Sequence, residues 1–411
     1  MKDPLLVSLL LVGAVVVLSI TMRYGAERLR TSPIVGYFAL GVLLRAASSF
    51  DVVPLLPEQQ VFPFLADLGV IALLFRVGLE SDLVRLLDQL PEATWIGIGN
   101  VLGSGGLAFG TAFFLIDWPL LPSLFVTTAL TATSVGVTVA LWKDADRLDS
   151  PEGSTLVDVA EFDDLLGVLL MALLFAAAPL LRGADGAADG ALLSTLATVL
   201  GWMLLKLVLF GGACLLFAWY VERPMTTLFE RLHAGEGTML VMLGVGIVVA
   251  AAAGLMGFST AIGAFFAGLI FSRDPHTAQY MDAFRPLHAL FAPFFFVGIG
   301  LELAPDAVGA IGGEVLLLLA AAVLGKIIGA YLPARPLQGS TGALVLGLSL
   351  VPRAEITLVI AQRGLELGPW ALPSTIFAQV VLVSAATVLI VPLVLRPLLA
   401  GPSMRSSSET S

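Results

Sequence analysis

The stretch Leu156–Leu181, LVDVAEFDDLLGVLLMALLFAAAPLL, has the composition of a membrane-spanning helix but carries two adjacent carboxylates, Asp163 and Asp164. At about 1.5 Å per residue, the eighth residue of such a helix lies about 12 Å deep in a hydrocarbon core about 30 Å thick. An ionised aspartate at that depth costs several kcal/mol unless it faces a partner or a water-filled cavity. Successive helical positions point about 100° apart, so the two carboxylates cannot share one small contact. We interpret the pair as a transport or proton-handling site, with two separately paired structural acids as the alternative.

The whole chain has the composition of a membrane protein. Hydrophobic residues make up 58% and charged residues 13%, and the mean hydropathy is +0.98. Soluble domains carry about 25% charged residues, so a soluble protein is excluded. We predict an all-α polytopic membrane protein with about 13 transmembrane helices, at 4–22, 33–46, 61–80, 92–115, 119–141, 154–181, 193–219, 237–254, 258–272, 285–304, 309–333, 340–363 and 372–399.

These spans predict one transmembrane domain, 1–400, followed by a short, Ser-rich, disordered tail at 401–411. The single cysteine, Cys214, excludes a disulfide framework and a cysteine metal site. Of the 21 lysines and arginines, 17 lie outside the spans or near a span end; 13 of these follow odd-numbered spans or lie at the C-terminal end, and 4 lie on the opposite side. The positive-inside rule therefore predicts an inner-membrane protein with its N-terminus outside and its C-terminus in the cytoplasm.

The fifth predicted span carries hydroxyl groups at a similar depth to the carboxylates. Thr131, Thr133 and Ser134 follow Pro119 by about 12 residues or slightly more, which is about 18 Å along a helix. Such groups can coordinate a hard cation through their hydroxyls and carbonyls. The alternative is an ordinary helix whose hydroxyls bond to carbonyls one turn earlier.

Two further spans place polar groups near their midpoints. Lys326, in the eleventh, is too deep to reach either surface easily, and Asp163 and Asp164 are its obvious partners. In the twelfth, Pro352-Arg353-Ala354-Glu355 predicts a helix break, since proline removes a helix hydrogen bond. We expect Arg353 and Glu355 to form a pair that supports this break.

The polar breaks in spans five and twelve suggest inverted-topology repeats, because an odd offset of seven spans reverses direction through the membrane. We expect helices at about 92–181 and 309–399 to form a moving core. Helices at about 1–80 and 237–304 would form a scaffold, in which the Gly-rich stretch Gly254–Gly268 would pack against a partner. A helix at about 193–219 would link the two groups.

Motifs spread over nearly the whole chain resemble those of the monovalent cation:proton antiporters, specifically bacterial sodium/proton exchangers with a paired-aspartate motif. They occur in the expected order: SPIVGY from Ser32, LLFRVGLE from Leu73, TATS from Thr131, FDDLLG from Phe162, AIGAFFAG from Ala261, FFVGIGL from Phe295, Lys326, and VPRAE from Val351. The chain departs from the family pattern at Arg76, Asp158 and Glu161.

The resemblance implies the sodium/proton antiporter fold with two crossed discontinuous helices, and electrogenic exchange of Na⁺ for protons across the lipid membrane. The inverted-repeat pattern suggests that the chain works as a homodimer. Asp164 would bind the cation or the proton, and Asp163 would pair with Lys326. No cofactor, nucleic acid or enzymatic activity is expected. The alternatives are a K⁺/H⁺ antiporter and a cation-coupled solute symporter. An intramembrane aspartyl protease also needs two membrane-embedded aspartates, but these normally come from two different helices. Asp163 and Asp164 are adjacent on one helix, which argues against a protease.

Overall fold

The computed structural model describes residues 4–28, 32–49, 61–81, 90–148, 150–182, 190–232, 236–272, 277–302 and 312–400. Within these ranges the regular elements are helices, and no strand occurs. They are α1 (Pro4–Arg28), α2 (Pro33–Ser49), α3 (Val61–Glu80), α4 (Leu90–Phe109), α5 (Leu120–Thr131), α6 (Val135–Asp144), α7 (Pro151–Arg182), α8 (Gly190–Tyr220), α9 (Glu222–Leu232), α10 (Glu236–Leu255), α11 (Thr260–Phe271), α12 (Thr277–Glu302), α13 (Gly313–Ser349), α14 (Glu355–Leu367) and α15 (Ser374–Ala400). The predicted tail, 401–411, lies outside the described residues.

The helices follow the predicted spans, with a π-helical turn, Gly110–Leu115, extending α4. Six described helical stretches are long and apolar enough to cross a membrane, and five shorter apolar helices accompany them. The fold is therefore that of an all-α polytopic membrane protein. Predicted span eleven and the first part of span twelve lie in one helix, α13, which is kinked at Gly339. The positive φ of 69° at this residue is a conformation that glycine adopts readily. The amphipathic helix α9 was not predicted, because it is too polar to resemble a membrane-spanning segment.

One compact unit of the fold contains Met1–Tyr24, Gly36–Arg85 and Ala172–Glu302. Within it, α3 packs against α11 and α12. The α3–α11 contact brings two backbones together at glycines: a Cβ on Gly78 would clash with the Phe265 carbonyl, and a Cβ on Gly268 would clash with the main chain of α3.

Gly263 also faces inward, since a Cβ there would lie 2.6 Å from the Cα of Ala250 in α10. The expectation that Gly254–Gly268 packs against a partner is therefore wrong for Gly263 and Gly268. A Gly-rich surface in the sequence does not reveal whether the close neighbour lies in the same chain or in another.

The second unit contains Gly25–Val35, Leu86–Met171 and Leu303–Ser411. The helix α7 changes unit between Met171 and Ala172, and the predicted linker helix α8 belongs to the first unit. The assignment of the two helix groups as moving core and scaffold stays a prediction.

In the second unit, α4 and α13 are in direct backbone contact. A Cβ on Gly329 would lie 2.6 Å from the Gly99 carbonyl oxygen, and a Cβ on Gly325 would lie 2.7 Å from the Cα of Ser104. Glycine permits this approach because it has no side chain. The contact holds Asn100 of α4 and Lys326 of α13 close to each other within the unit.

Candidate ion-binding site

The paired carboxylates lie in the middle of α7. Ser150 precedes this helix and accepts a hydrogen bond from the main-chain N–H of Gly153 at 3.1 Å, and Pro151 occupies the first helical position. Asp163 and Asp164 then lie about 18 Å along the axis at 1.5 Å per residue. Asp163 is 1% exposed and Asp164 is 8% exposed, so the two neighbours differ in their access to the surroundings.

Asp163 is held by side chains from two other helices, α4 and α13, and from the extended segment after α5. The Lys326 ammonium lies 2.6 Å from Asp163 Oδ2, so the two residues expected to pair are in contact. The Thr133 hydroxyl donates to the same oxygen, and the Asn100 amide nitrogen donates to Oδ1 at 3.0 Å. A buried charge pair offsets its desolvation cost only when further hydrogen bonds satisfy its remaining groups, as they do here.

The hydroxyl run after α5 adopts an extended conformation, as the sequence suggested. Ala132 has φ −66° and ψ 147°, and Ser134 has φ −96° and ψ 101°. This interruption, Ala132–Ser134, is hereafter the first break. The second break, Leu350–Ala354, separates α13 from α14. The two breaks touch, because the Ser134 N–H donates to the Pro352 carbonyl at 2.7 Å.

The three hydroxyls predicted to bind an ion have different partners. Thr131 donates to the Thr128 carbonyl at 2.7 Å, which is the local bond expected of an ordinary helical threonine. The Thr131 carbonyl, however, accepts from the Lys326 ammonium. Ser134 donates to Glu355 Oε2 at 2.8 Å. Thus Thr133 touches Asp163 directly, Thr131 is connected to it through Lys326, and Ser134 contacts a different carboxylate.

Arg353 supports the breaks differently from the prediction. The hydrogen bonds of its guanidinium go to main-chain carbonyls and not to Glu355, namely those of Leu130, Val351 and Ala322 at 2.8, 2.7 and 2.9 Å. The side chain is 0% exposed. Because a broken helix leaves carbonyls at its ends without helical donors, a buried guanidinium with several N–H groups can satisfy those of Leu130 and Val351. The third acceptor, Ala322, lies within α13.

Pro352 contributes its carbonyl to the first break and cannot donate a main-chain hydrogen bond. Glu355 begins α14, where a carboxylate interacts favourably with the helix N-terminus. Along α7, Asp158 and Glu161 precede Asp164 at intervals of three residues, and Asp158 is buried. Among the described residues, no group of three or more His, Cys, Asp or Glu side chains could hold a metal ion.

Asn100 is the residue of this site that sequence reasoning missed. Its only sequence signal is one amide among the glycines and apolar residues of the fourth span, eight residues after residue 92. A polar residue at that depth could have been paired with Asp163, since the fourth and sixth spans both belong to the predicted core.

Comparisons with known proteins agree with this architecture. A family model described as "Sodium/hydrogen exchanger, transmembrane" matches residues 11–401. The chain is 28% identical to a Na⁺/H⁺ antiporter of Enterococcus hirae, over 94% of this chain and 96% of that protein. It is 27% identical to the Na⁺/H⁺-K⁺ antiporter GerN of Bacillus cereus, over 90% of each.

The fold also matches a solved structure. The sodium proton antiporter MjNhaP1 of Methanocaldococcus jannaschii superposes with a TM-score of 0.74 and 15% sequence identity, covering 96% of this chain and 98% of that one. The chain therefore belongs to the transmembrane sodium/hydrogen exchanger family, whose members are multi-pass cation:proton antiporters and not enzymes.

Proposed function

We propose that this protein exchanges Na⁺ for protons across the inner membrane, with Asp164 as the site that both ions share. The observation that carries the proposal is the difference between the two neighbouring carboxylates. Asp163 is engaged by Lys326, Thr133 and Asn100, whereas Asp164 is the more exposed of the pair. A negatively charged oxygen ligand suits a hard cation, and the same oxygen can carry a proton.

Cation binding by the hydroxyl groups requires a rearrangement. Thr131, Thr133 and Ser134 donate to other oxygens in the described state. Their oxygens can still accept or coordinate, since each hydroxyl carries acceptor lone pairs as well as its donor. In this proposal Thr131 at the end of α5 and the two hydroxyls of the first break supply these oxygens when Na⁺ approaches Asp164.

Exchange by alternating access follows from charge neutralisation at this site. A charged, empty carboxylate is costly to move through an apolar environment, whereas the protonated or Na⁺-loaded form is not. Either ion therefore permits the site to change sides. Breaking the Asp163–Lys326 pair during proton uptake would involve a second carboxylate, which makes the exchange electrogenic.

Reconstitution into liposomes with a pH-sensitive dye tests the assignment. Asp164→Asn should abolish Na⁺-driven proton flux, because the amide can neither carry the proton nor balance the cation. Asp282→Asn is the matched control, since Asp282 is 71% exposed and pairs with Arg285 on the surface. Near-normal flux in Asp164→Asn would contradict the proposal.

The same liposomes test competition. As the pH falls, protons occupy a larger fraction of the shared carboxylate, so the apparent affinity for Na⁺ should weaken without a matching loss of maximal rate. A half-saturating Na⁺ concentration that stays constant between roughly pH 6 and pH 9 would contradict a shared carboxylate.

K⁺ is the second candidate cation, because the name of GerN includes K⁺ as well as Na⁺. The dye assay with Na⁺, Li⁺ and K⁺ in turn decides between them. Proton flux driven by K⁺ alone would make the protein a K⁺/H⁺ antiporter. Flux that depends on an added organic solute would indicate a cation-coupled symporter.

We further propose a homodimer in which the core helices move against a fixed scaffold, with the N-terminus outside and the C-terminus in the cytoplasm. Cysteine pairs between the predicted core, 92–181 and 309–399, and the predicted scaffold, 1–80 and 237–304, test this movement after Cys214 is replaced. Cross-linking should stop exchange, and reduction should restore it. Unchanged exchange in fully cross-linked protein would contradict the moving core.

A further inference from the structure

The Asn100 amide contains a buried oxygen that nothing in the described state satisfies. The side chain is 0% exposed, and its nitrogen donates to Asp163 Oδ1 at 3.0 Å. Its own oxygen, Oδ1, has no hydrogen-bond donor among the described residues. A buried acceptor left without a donor destabilises the folded protein. Because native proteins satisfy most buried polar groups, an unsatisfied oxygen at this position indicates a partner that binds it in another state.

A donor of matching chemistry lies on the other side of the same carboxylate. Lys326 contacts Asp163 Oδ2, and Asn100 contacts Oδ1. An ammonium has three N–H donors, and two acceptors for Lys326 are present among the described residues, Asp163 and the Thr131 carbonyl. The glycine contacts between α4 and α13 hold the two side chains near each other.

We propose that Asn100 is a positioning residue whose amide oxygen accepts the Lys326 ammonium when that ammonium leaves Asp163. This inference rests on the proposed function, in which the Asp163–Lys326 pair breaks during transport. An ammonium that leaves its carboxylate in a fully buried place needs another acceptor at once, because an unpartnered buried charge is very costly. The Asn100 oxygen can accept the ammonium without losing an existing hydrogen bond, because it has no donor among the described residues.

One amide can thereby serve two states of the site. In the described state its nitrogen donates to Asp163, and in the other state its oxygen accepts from Lys326. An asparagine provides both groups on one short side chain, whereas an aliphatic residue of the same size provides neither. The competing explanation is that Asn100 only anchors Asp163, and the two explanations predict different kinetics.

The experiment compares Asn100→Leu and Asn100→Ser with the wild type in reconstituted liposomes. Asn100→Leu should lower the maximal rate about tenfold, equivalent to about 1.4 kcal/mol in the barrier. The half-saturating Na⁺ concentration should stay within about twofold, because Asp164 is unchanged. Asn100→Ser should restore most of the rate, since its hydroxyl both donates and accepts.

Ser104→Ala is the matched control. Ser104 lies one turn along α4, is equally buried, and bonds to the Asn100 and Val101 carbonyls within its own helix. It should exchange at the wild-type rate. Asn100→Ala is carried through the same series, so that a folding failure of the leucine variant does not end the test.

A double-mutant cycle with Lys326→Ala gives the second readout. If Asn100 acts through Lys326, removing the asparagine should slow exchange much less in the Lys326→Ala background. Full-rate exchange by Asn100→Leu, failure of serine to restore the rate, or equal effects in both backgrounds would each overturn the inference. Absence of exchange in the wild type would instead overturn the proposed function, which keeps the two failures distinct.

Discussion

The two helix breaks touch each other but are built from different chemistry. The first break, Ala132–Ser134, contains no proline, and its hydroxyls donate to the carboxylates of Asp163 and Glu355. The second break, Leu350–Ala354, contains Pro352 and Arg353, and its guanidinium donates to main-chain carbonyls. The first break thus donates side-chain hydroxyls to the carboxylates, whereas the second supplies a buried cation that donates to main-chain carbonyls.

This difference indicates a division of labour. Arg353 donates to Leu130, close to the end of α5, so the cation of the second break also supports the helix that precedes the first. Ser384 and Thr387 of α15 hold the main chain of Arg353 through hydrogen bonds of 2.7 and 3.2 Å. Lys326 likewise donates to the Thr131 carbonyl, so two buried cations satisfy carbonyls at the end of α5. The hydroxyls of Thr133 and Ser134 donate to carboxylates instead. We expect damage to the second break to cost stability and damage to the first to cost transport.

The largest effect is expected from Arg353→Met. Methionine fills similar space but removes the donor of the Leu130 and Val351 carbonyls at the breaks, at about 1–3 kcal/mol for each unsatisfied group. It also removes the hydrogen bond to the Ala322 carbonyl within α13. The variant should show a large drop in melting temperature and a poor yield of folded protein in detergent. Arg363→Met is the control, because Arg363 pairs with Glu366 near the surface. A melting temperature equal to that of the wild type would contradict the supporting role of Arg353.

Lys326→Ala comes next, since Lys326 joins the carbonyl of Thr131 to the carboxylate of Asp163. Removing one partner of a buried ion pair typically costs about 3–5 kcal/mol. We expect lower thermal stability and a shift of transport toward electroneutrality, because one titrating group is lost. Both are measurable, by melting and by the voltage dependence of flux.

Lys206→Ala is the control for that experiment. Lys206 also lies in a predicted span, but it donates to the Met256 carbonyl at 3.3 Å and lies over the ring of Trp202. Its replacement should leave the voltage dependence unchanged. If Lys326→Ala retained both the melting temperature and the voltage dependence, the proposed role of the Asp163 pair would be wrong.

Much of this division could be predicted from the sequence, because its signals are local. Pro352 predicts a helix break by composition alone, and the depth of Lys326 matches that of Asp163. The hydroxyl run Thr131–Ser134 suggested a polar break but left an ordinary helix as the alternative. The acceptors of Arg353 could not be predicted in this way. They lie on three different segments, and two of them are more than thirty residues away in the chain.

Asn100 was missed for a related reason. A single amide in a Gly-rich span gains meaning only once α4 is known to lie against α13 at Gly99, Gly103, Gly325 and Gly329. Similarly, the inward packing of Gly263 depends on which helix approaches it. Sequence therefore predicts where polar groups and breaks occur, whereas the partner of a buried group depends on tertiary packing that no local pattern encodes.

A smaller effect is expected from Thr133→Val, which keeps the shape of the side chain but removes the hydroxyl. Asp163 would lose one of its three side-chain donors, and a hydrogen bond to a charged group contributes about 1.5–3 kcal/mol. The exchange rate should fall roughly tenfold or more, with a modest loss of stability. Flux measurements on Thr133→Ser, which retains the hydroxyl, provide the control and should give nearly the wild-type rate.

The smallest effect is expected from Ser134→Ala, and it separates the two ends of the first break. Ser134 donates to Glu355 and not to Asp163, and its main-chain N–H, which bonds to Pro352, is unaffected by the substitution. The contact between the two breaks should therefore survive, and the loss should be about 0.5–1.5 kcal/mol, as for a typical hydrogen bond. We expect the half-saturating Na⁺ concentration to change by less than it does in Thr133→Val. If Ser134→Ala instead weakened Na⁺ affinity more than Thr133→Val, the cation would bind nearer Glu355 than the Asp163–Asp164 pair, and the division between a functional first break and a supporting second break would not hold.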